Sequence, residues 1–256
     1  MLGQNVCQRR SAALSVSERA VIFVLTAFNL FSIAYSAKLR NVLYVLSSIA
    51  SLLLVFVPYL LEWVFKIRIS LGLKITYSLF PLLGPVLGNV YKFYHIVPYW
   101  DKFLHSLSGF AFAALGYCLI DLMERGRTHS KTVKAMFAFC FSMMIAGVWE
   151  LYEYIGDRLF ALDLQNDTVI NGISSYLLGA ETGAIGKISE ITSVTVNGRA
   201  LPYNGYIDIG LIDTMNDMLT CMLGTLVFIV IAVKDKRGRF ASITPALPGW
   251  KEKLRF

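Results

Sequence analysis

Residues 210–233 read GLIDTMNDMLTCMLGTLVFIVIAV. From Met218 to Val233 no residue carries a charge, and with the preceding turn the run is long enough to cross a hydrocarbon layer of about 30 Å at about 1.5 Å per residue. Its first turns nevertheless hold Asp213 and Asp217, four positions apart and so on one helix face. Carboxylates in the outer turns of a membrane helix are costly toward lipid, and they turn toward protein or toward a water-filled cavity. A spanning helix with an acidic stripe is therefore the pattern to seek in the rest of the chain.

Five further apolar stretches meet the length criterion, at 20–36, 42–61, 71–91, 101–122 and 134–154. The composition agrees: 56% of the 256 residues are hydrophobic and 16% charged, and the mean hydropathy is +0.58, whereas a soluble chain carries about a quarter of its residues as charge. The fold class expected is an all-α polytopic membrane protein with six transmembrane helices. Pro81, Gly84 and Pro85 fall in the third stretch, where missing backbone donors predict a kink. The other five read as continuous helices. Cys7, Cys118, Cys140 and Cys221 show neither paired nor metal-ligand spacing, and no disulfide is expected.

The net charge of +7 is explained by position rather than by nucleic-acid binding, and no nucleic-acid partner is expected. With both termini on one side, that side's segments hold 17 Lys and Arg and the opposite segments seven, Lys38, Arg40, Lys92, Lys102, Arg158, Lys187 and Arg199. Positive loops stay cytoplasmic. The expected division is a basic cytoplasmic segment 1–19, a membrane domain 20–233 with an external loop 155–209, and a basic cytoplasmic tail 234–256. Arg9 and Arg10 precede no short apolar core, so the first stretch reads as an uncleaved span rather than a signal peptide.

Within the external loop, alternating β-branched residues from Ile188 to Val196 precede Asn197-Gly198 and the run Arg199 to Tyr203, with a second turn at Asn204-Gly205. Asn-Gly between such runs predicts a small β-hairpin, which would feed Tyr206-Ile207-Asp208 into the last helix. Asn166-Asp167-Thr168 fits a glycosylation acceptor.

On this topology three acidic sets meet at one face. Helix four begins there with Asp101-Lys102 and His105, helix five ends there with Glu150, Glu153 and Asp157, and helix six begins there with Asp213 and Asp217. Spacings of three, four and seven put each set on one side of its helix. His105, Glu150 and Asp217 are the deepest members, about 6–10 Å inward of Asp101, Asp157 and Asp213. So many carboxylates around one histidine and Lys102 require neutralisation by protons or by a cation. Carboxylate oxygens with an imidazole suit Mg, Mn, Fe or Zn. The metal ligands expected are Asp101, His105, Glu150, Asp213 and Asp217, with His105 and Glu153 as the candidate catalytic residues. No P-loop, GxGxxG or HExxH motif is present.

Plainer roles compete. Asp101 and Asp213 suit helix N-termini, and Asp157 reads as a loop acid beside Arg158. Trp100, Trp149, Tyr91, Tyr94 and Tyr99 suit an interfacial aromatic belt. Ser106, Ser108, Gly109 and Gly224 suit close helix packing.

The sequences Trp100 to Gly109 (WDKFLHSLSG), Trp149 to Glu153 (WELYE), Gly205 to Gly210 (GYIDIG) and Asp213 to Met218 (DTMNDM) resemble the YjdF-type family of bacterial inner-membrane proteins. The order Asp-Lys-x-x-His, then Glu, then Asp followed by Gly is more distantly similar to VanZ-like membrane proteins, which are associated with glycopeptide resistance. These resemblances imply a bacterial cytoplasmic membrane. The activities that fit the polar cluster are a metal-dependent hydrolase or transferase on a lipid-linked or envelope substrate, a proton- or cation-coupled transporter, or a non-enzymatic envelope accessory protein. The partners expected are the lipid bilayer and such a substrate, with a homo-oligomer left open.

Overall fold

Ser15 opens the first helix by accepting the Glu18 backbone N–H while the Glu18 carboxylate accepts that of Ser15, a reciprocal cap. The computed structural model describes residues 14–123, 129–235 and 243–245. Helix α1 (Val16–Lys38) is followed by α2 (Val42–Val55), capped by Asn41. The second span does not continue as one helix, contrary to the sequence reading. It breaks at Phe56 and resumes as α3 (Val57–Phe65), because Pro58 has no N–H to offer the Leu54 carbonyl. Strand β1 (Ile67–Ile69) pairs antiparallel with β8 (Ile243–Pro245). Most of the expected N-terminal segment and basic tail lies outside the described residues.

Helix α4 (Leu71–Pro81) runs on as a π-helical stretch, Leu82–Val90. The prolines that predict a kink produce this wider winding instead. Pro81 and Pro85 delete i→i−4 donors, and the chain closes longer rings such as Tyr91 N–H to the Val86 carbonyl, at 3.1 Å. A short helix α5 (Phe93–Ile96) precedes the long helices α6 (Trp100–Met123), α7 (Lys131–Phe160) and α8 (Leu211–Lys234). Among the described residues six spans are long and apolar enough to cross a membrane: Val16–Lys38, Val42–Phe65, Leu71–Val90, Trp100–Asp121, Lys131–Phe160 and Leu211–Lys234.

Helix α7 extends beyond the expected 134–154, so the long connection begins at 161. Asp157 holds that corner, accepting the backbone N–H groups of Leu164 at 2.6 Å and Gln165 at 2.9 Å. It is thus a helical residue that clamps the loop, not a loop acid paired with Arg158. The connection carries three strand pairs. Strand β2 (Thr168–Ile170) pairs with β7 (Tyr206–Asp208), β3 (Ile173–Ser175) with β4 (Gly186–Ile188), and β5 (Thr195–Val196) with β6 (Arg199–Ala200). The hairpin turns at Asn197-Gly198, both with positive φ (51° and 78°), but its arms are shorter than expected because Ile188 is taken by the β3–β4 pair.

Helices α6, α7 and α8 pack on one another, while α1, α2 and the α4 span form a second group. Close approach in the first group depends on absent side chains. A Cβ on Gly109 would overlap the Cys221 carbonyl oxygen, and one on Gly224 would overlap that of Ser106, as the small-residue reading expects. Tyr77 joins the groups by donating its hydroxyl to the Ala111 carbonyl, at 2.6 Å. At the face where α1 begins, the buried Lys74 ammonium pairs with Glu18 and, at 2.9 Å, with Glu62. Cys140 and Cys221 are free thiols.

Candidate metal-binding site between three helices

Alternation of the six spans brings the starts of α6 and α8 and the end of α7 to one membrane face. Asp208, not Asp213, caps α8, accepting the Ile212 N–H at 2.8 Å. Asp213 is thereby left to interact laterally. Its Oδ1 accepts from Lys102 Nζ at 2.5 Å, and its Oδ2 accepts from the Asn166 backbone at 3.0 Å and the Asn166 amide at 3.3 Å. Lys102 also donates to Asp217 Oδ1 at 2.7 Å and lies 3.4 Å from Asp101 Oδ2.

His105 is buried, 7% exposed, and lies among carboxylates that it does not quite touch. Its Nε2 is 3.6 Å from Asp101 Oδ1 and 3.9 Å from Asp217 Oδ1, and its Nδ1 is 3.8 Å from Glu150 Oε1. These separations exceed a hydrogen bond and leave space between the groups. One ligand atom each from Asp101, His105 and Asp217 lies within 4.8 Å of the others. A cation bonded at about 2.0–2.5 Å reaches atoms separated by roughly that much. Asp217 is 1% exposed and Glu150 6%, yet Asp217 Oδ2 and both Glu150 carboxyl oxygens have no hydrogen-bond partner among the described residues. Buried carboxylate oxygens without partners are costly. An ion, a proton or water must complete them.

The structure thus gathers Asp101, His105 and Asp217, with Glu150 on the Nδ1 side of His105 and Asp213 held by Lys102 and Asn166. Glu153 is drawn aside, its Oε1 accepting from Trp149 Nε1 at 2.8 Å. Trp149 is therefore more than a belt residue. Tyr94 also packs its ring against Gly88, with its hydroxyl near Gly84, in the π-helical stretch. Sequence reasoning missed Gln165, which bonds Thr214, and Asn166 on Asp213. Asn166 drew notice only within an acceptor triplet, and nothing local in the sequence marks a loop residue that returns to a helix fifty positions on.

Inward of the site the polar character ends in stages. The Ser142 and Thr225 hydroxyls lie 2.8 Å apart, and both approach the Gly109 carbonyl, at 3.0 and 3.1 Å. Beyond them the fully buried Phe228 ring meets Phe110 and Tyr117 edge-on. Aromatic packing thus lies inward of the site.

Six spans, three of which hold a buried carboxylate–histidine cluster between them, define a polytopic helical membrane protein. The chain belongs to the family described as Predicted membrane protein (DUF2238), which matches residues 18–237. It is also 27% identical over 186 residues to an uncharacterized protein of Thermotoga maritima, covering 72% of this chain and 74% of that one. No solved structure matches it.

Proposed function

We propose that this protein is a divalent-cation-dependent membrane hydrolase or transferase acting on a lipid-linked or envelope substrate. The observation that carries the reading is the trio Asp101, His105 and Asp217, whose ligand atoms lie within 4.8 Å of one another beside unpartnered, buried carboxyl oxygens. Glu150 would add a further carboxylate donor, and Asp213 would join by exchanging Lys102 and Asn166 for the ion; such a donor set suits Mg, Mn, Fe or Zn. A cation held there would supply Lewis acidity that lowers the pKa of a bound water toward neutrality. His105 and Glu153 are the groups that would carry the proton. The buried aromatic packing of Phe228, Phe110 and Tyr117 inward of the site favours chemistry at one membrane face over a transport path.

The site belongs in the outer half of a bacterial cytoplasmic membrane with both termini inside, a reading supported by the 17-to-seven distribution of Lys and Arg and by the YjdF-type motifs around Asp101, Glu150 and Asp213. The segments 1–19 and 234–256 are its basic cytoplasmic ends.

A second reading rests on Lys102. Its ammonium already bridges Asp213 and Asp217, and a cluster neutralised from within would serve as an ionic lock between α6 and α8 in an accessory protein. Elemental mass spectrometry of the detergent-purified protein separates the two. The metalloenzyme reading expects near-stoichiometric divalent metal, lost in Asp217→Asn and His105→Ala variants that keep wild-type elution and helicity. A wild type without metal in any buffer, with variants that unfold, leaves the ionic lock.

A further inference from the structure

A recess opens at the same membrane face, bounded by the start of α2, the end of the π-helical stretch and α5. Its volume is about 590 Å³, within the range of ligand pockets. Tyr44, Ser47, Asn89, Lys92 and His95 supply its polar lining, and none of the described residues that line it is acidic. Leu43 and Leu46 form the remaining wall, 73% and 55% exposed on the side of α2 that meets hydrocarbon in a bilayer.

The backbone holds the basic residues in place. Lys92 adopts a left-handed conformation, φ 61°, uncommon for a residue with a side chain. Its carbonyl accepts the N–H groups of His95 at 2.9 Å and Ile96 at 3.1 Å, so the strained residue starts α5 and ties Lys92 to His95. Among the described residues neither side chain makes a hydrogen bond or an ion pair, in contrast to Lys74 and Lys102. An unpaired ammonium, an imidazole, an amide and two hydroxyls around one recess form a donor-rich site for an oxyanion. The adjoining leucines suit a ligand whose other end is a hydrocarbon chain.

We propose that this recess binds the phosphate headgroup of an anionic lipid, with Lys92 supplying an ammonium, Asn89, His95, Tyr44 and Ser47 further hydrogen bonds, and Leu43 and Leu46 the track for an acyl chain. The site shares no residue with the carboxylate cluster and does not depend on the metal reading.

The test uses the full chain in nanodiscs of phosphatidylcholine with and without phosphatidylglycerol, and native mass spectrometry of the lipid retained. Wild type is expected to keep one phosphatidylglycerol in preference to phosphatidylcholine. Retention should fall about five-fold in Lys92→Gln, the effect of one basic residue at an anionic surface, and recover in Lys92→Arg. A tryptophan at position 46, Leu46→Trp, should be quenched more by brominated phosphatidylglycerol than by brominated phosphatidylcholine. Equal retention of the two lipids, or by wild type and Lys92→Gln, overturns the proposal. Displacement of the lipid by millimolar inorganic phosphate overturns the lipid assignment in favour of free anion. Metal content measured on the same samples should be unchanged by Lys92→Gln, so failure here and failure of the metal reading are distinguishable.

Discussion

Lys102 Nζ lies 2.5 Å from Asp213 Oδ1 and 2.7 Å from Asp217 Oδ1, so a cation entering the cluster competes with an ammonium for carboxylate oxygens. Removing the ammonium should therefore act in two directions. Lys102→Met leaves two buried carboxylates without their partner, a loss of about 3–5 kcal/mol where such pairs are broken, and metal-free protein should melt at lower temperature. The same variant should bind Mn more tightly than wild type, with added Mn restoring the melting temperature. Combining it with Asp217→Asn should recover part of the apo stability by removing one orphaned charge. Melting curves with and without Mn check all three expectations, and a Lys102→Met variant indifferent to Mn would point to the lock. The acids and His105 were legible in the sequence because ionisable residues in a spanning helix stand out. The lateral use of Asp213 was not, since a helix-start aspartate suits a cap equally well and only the fold assigns that task to Asp208.

At the scale of elements, the interface of α6 with α8 depends on two glycines. Gly109→Ala places a methyl onto the Cys221 carbonyl, backbone that cannot rotate away, and should cost about 1–3 kcal/mol as overpacking. Gly147→Ala on α7 has nothing within 4 Å of the new methyl and should be neutral or stabilise by up to about 1 kcal/mol through helix propensity. Thermal unfolding in one detergent compares the pair directly. Asp157→Ala removes the acceptor of two backbone N–H groups at the α7 corner. Limited proteolysis should then cut near residues 161–168 several-fold faster, with the spans themselves intact. The sequence pattern located each span to within a few residues, yet it did not show the break at Phe56 or the π winding after Pro81. A proline announces a lost donor, and whether the chain answers by breaking, kinking or widening depends on what its freed carbonyls meet.

For the whole molecule, the orientation decides which compartment the cluster faces. Leu177 projects from the long connection, 95% exposed, and Ser130 begins α7 at the opposite face. With the termini inside, a membrane-impermeant maleimide should label Leu177→Cys in intact cells and Ser130→Cys only after permeabilisation, in a background lacking the native thiols. The reverse pattern would put the carboxylates in the inner half of the bilayer. By itself the sequence determined that the chain crosses a membrane six times and that acids of three helices share a face, because apolar length and helical period are local properties that survive any packing arrangement. Tertiary structure alone decided which acids approach His105, that Lys102 sits among them, that the loop returns through Asn166 to Asp213, and that Phe228 packs against Phe110 and Tyr117 inward of them. Those outcomes depend on distances of a few ångströms between residues up to 118 positions apart, set by the glycine contacts of α6 and α8, and no local pattern encodes them.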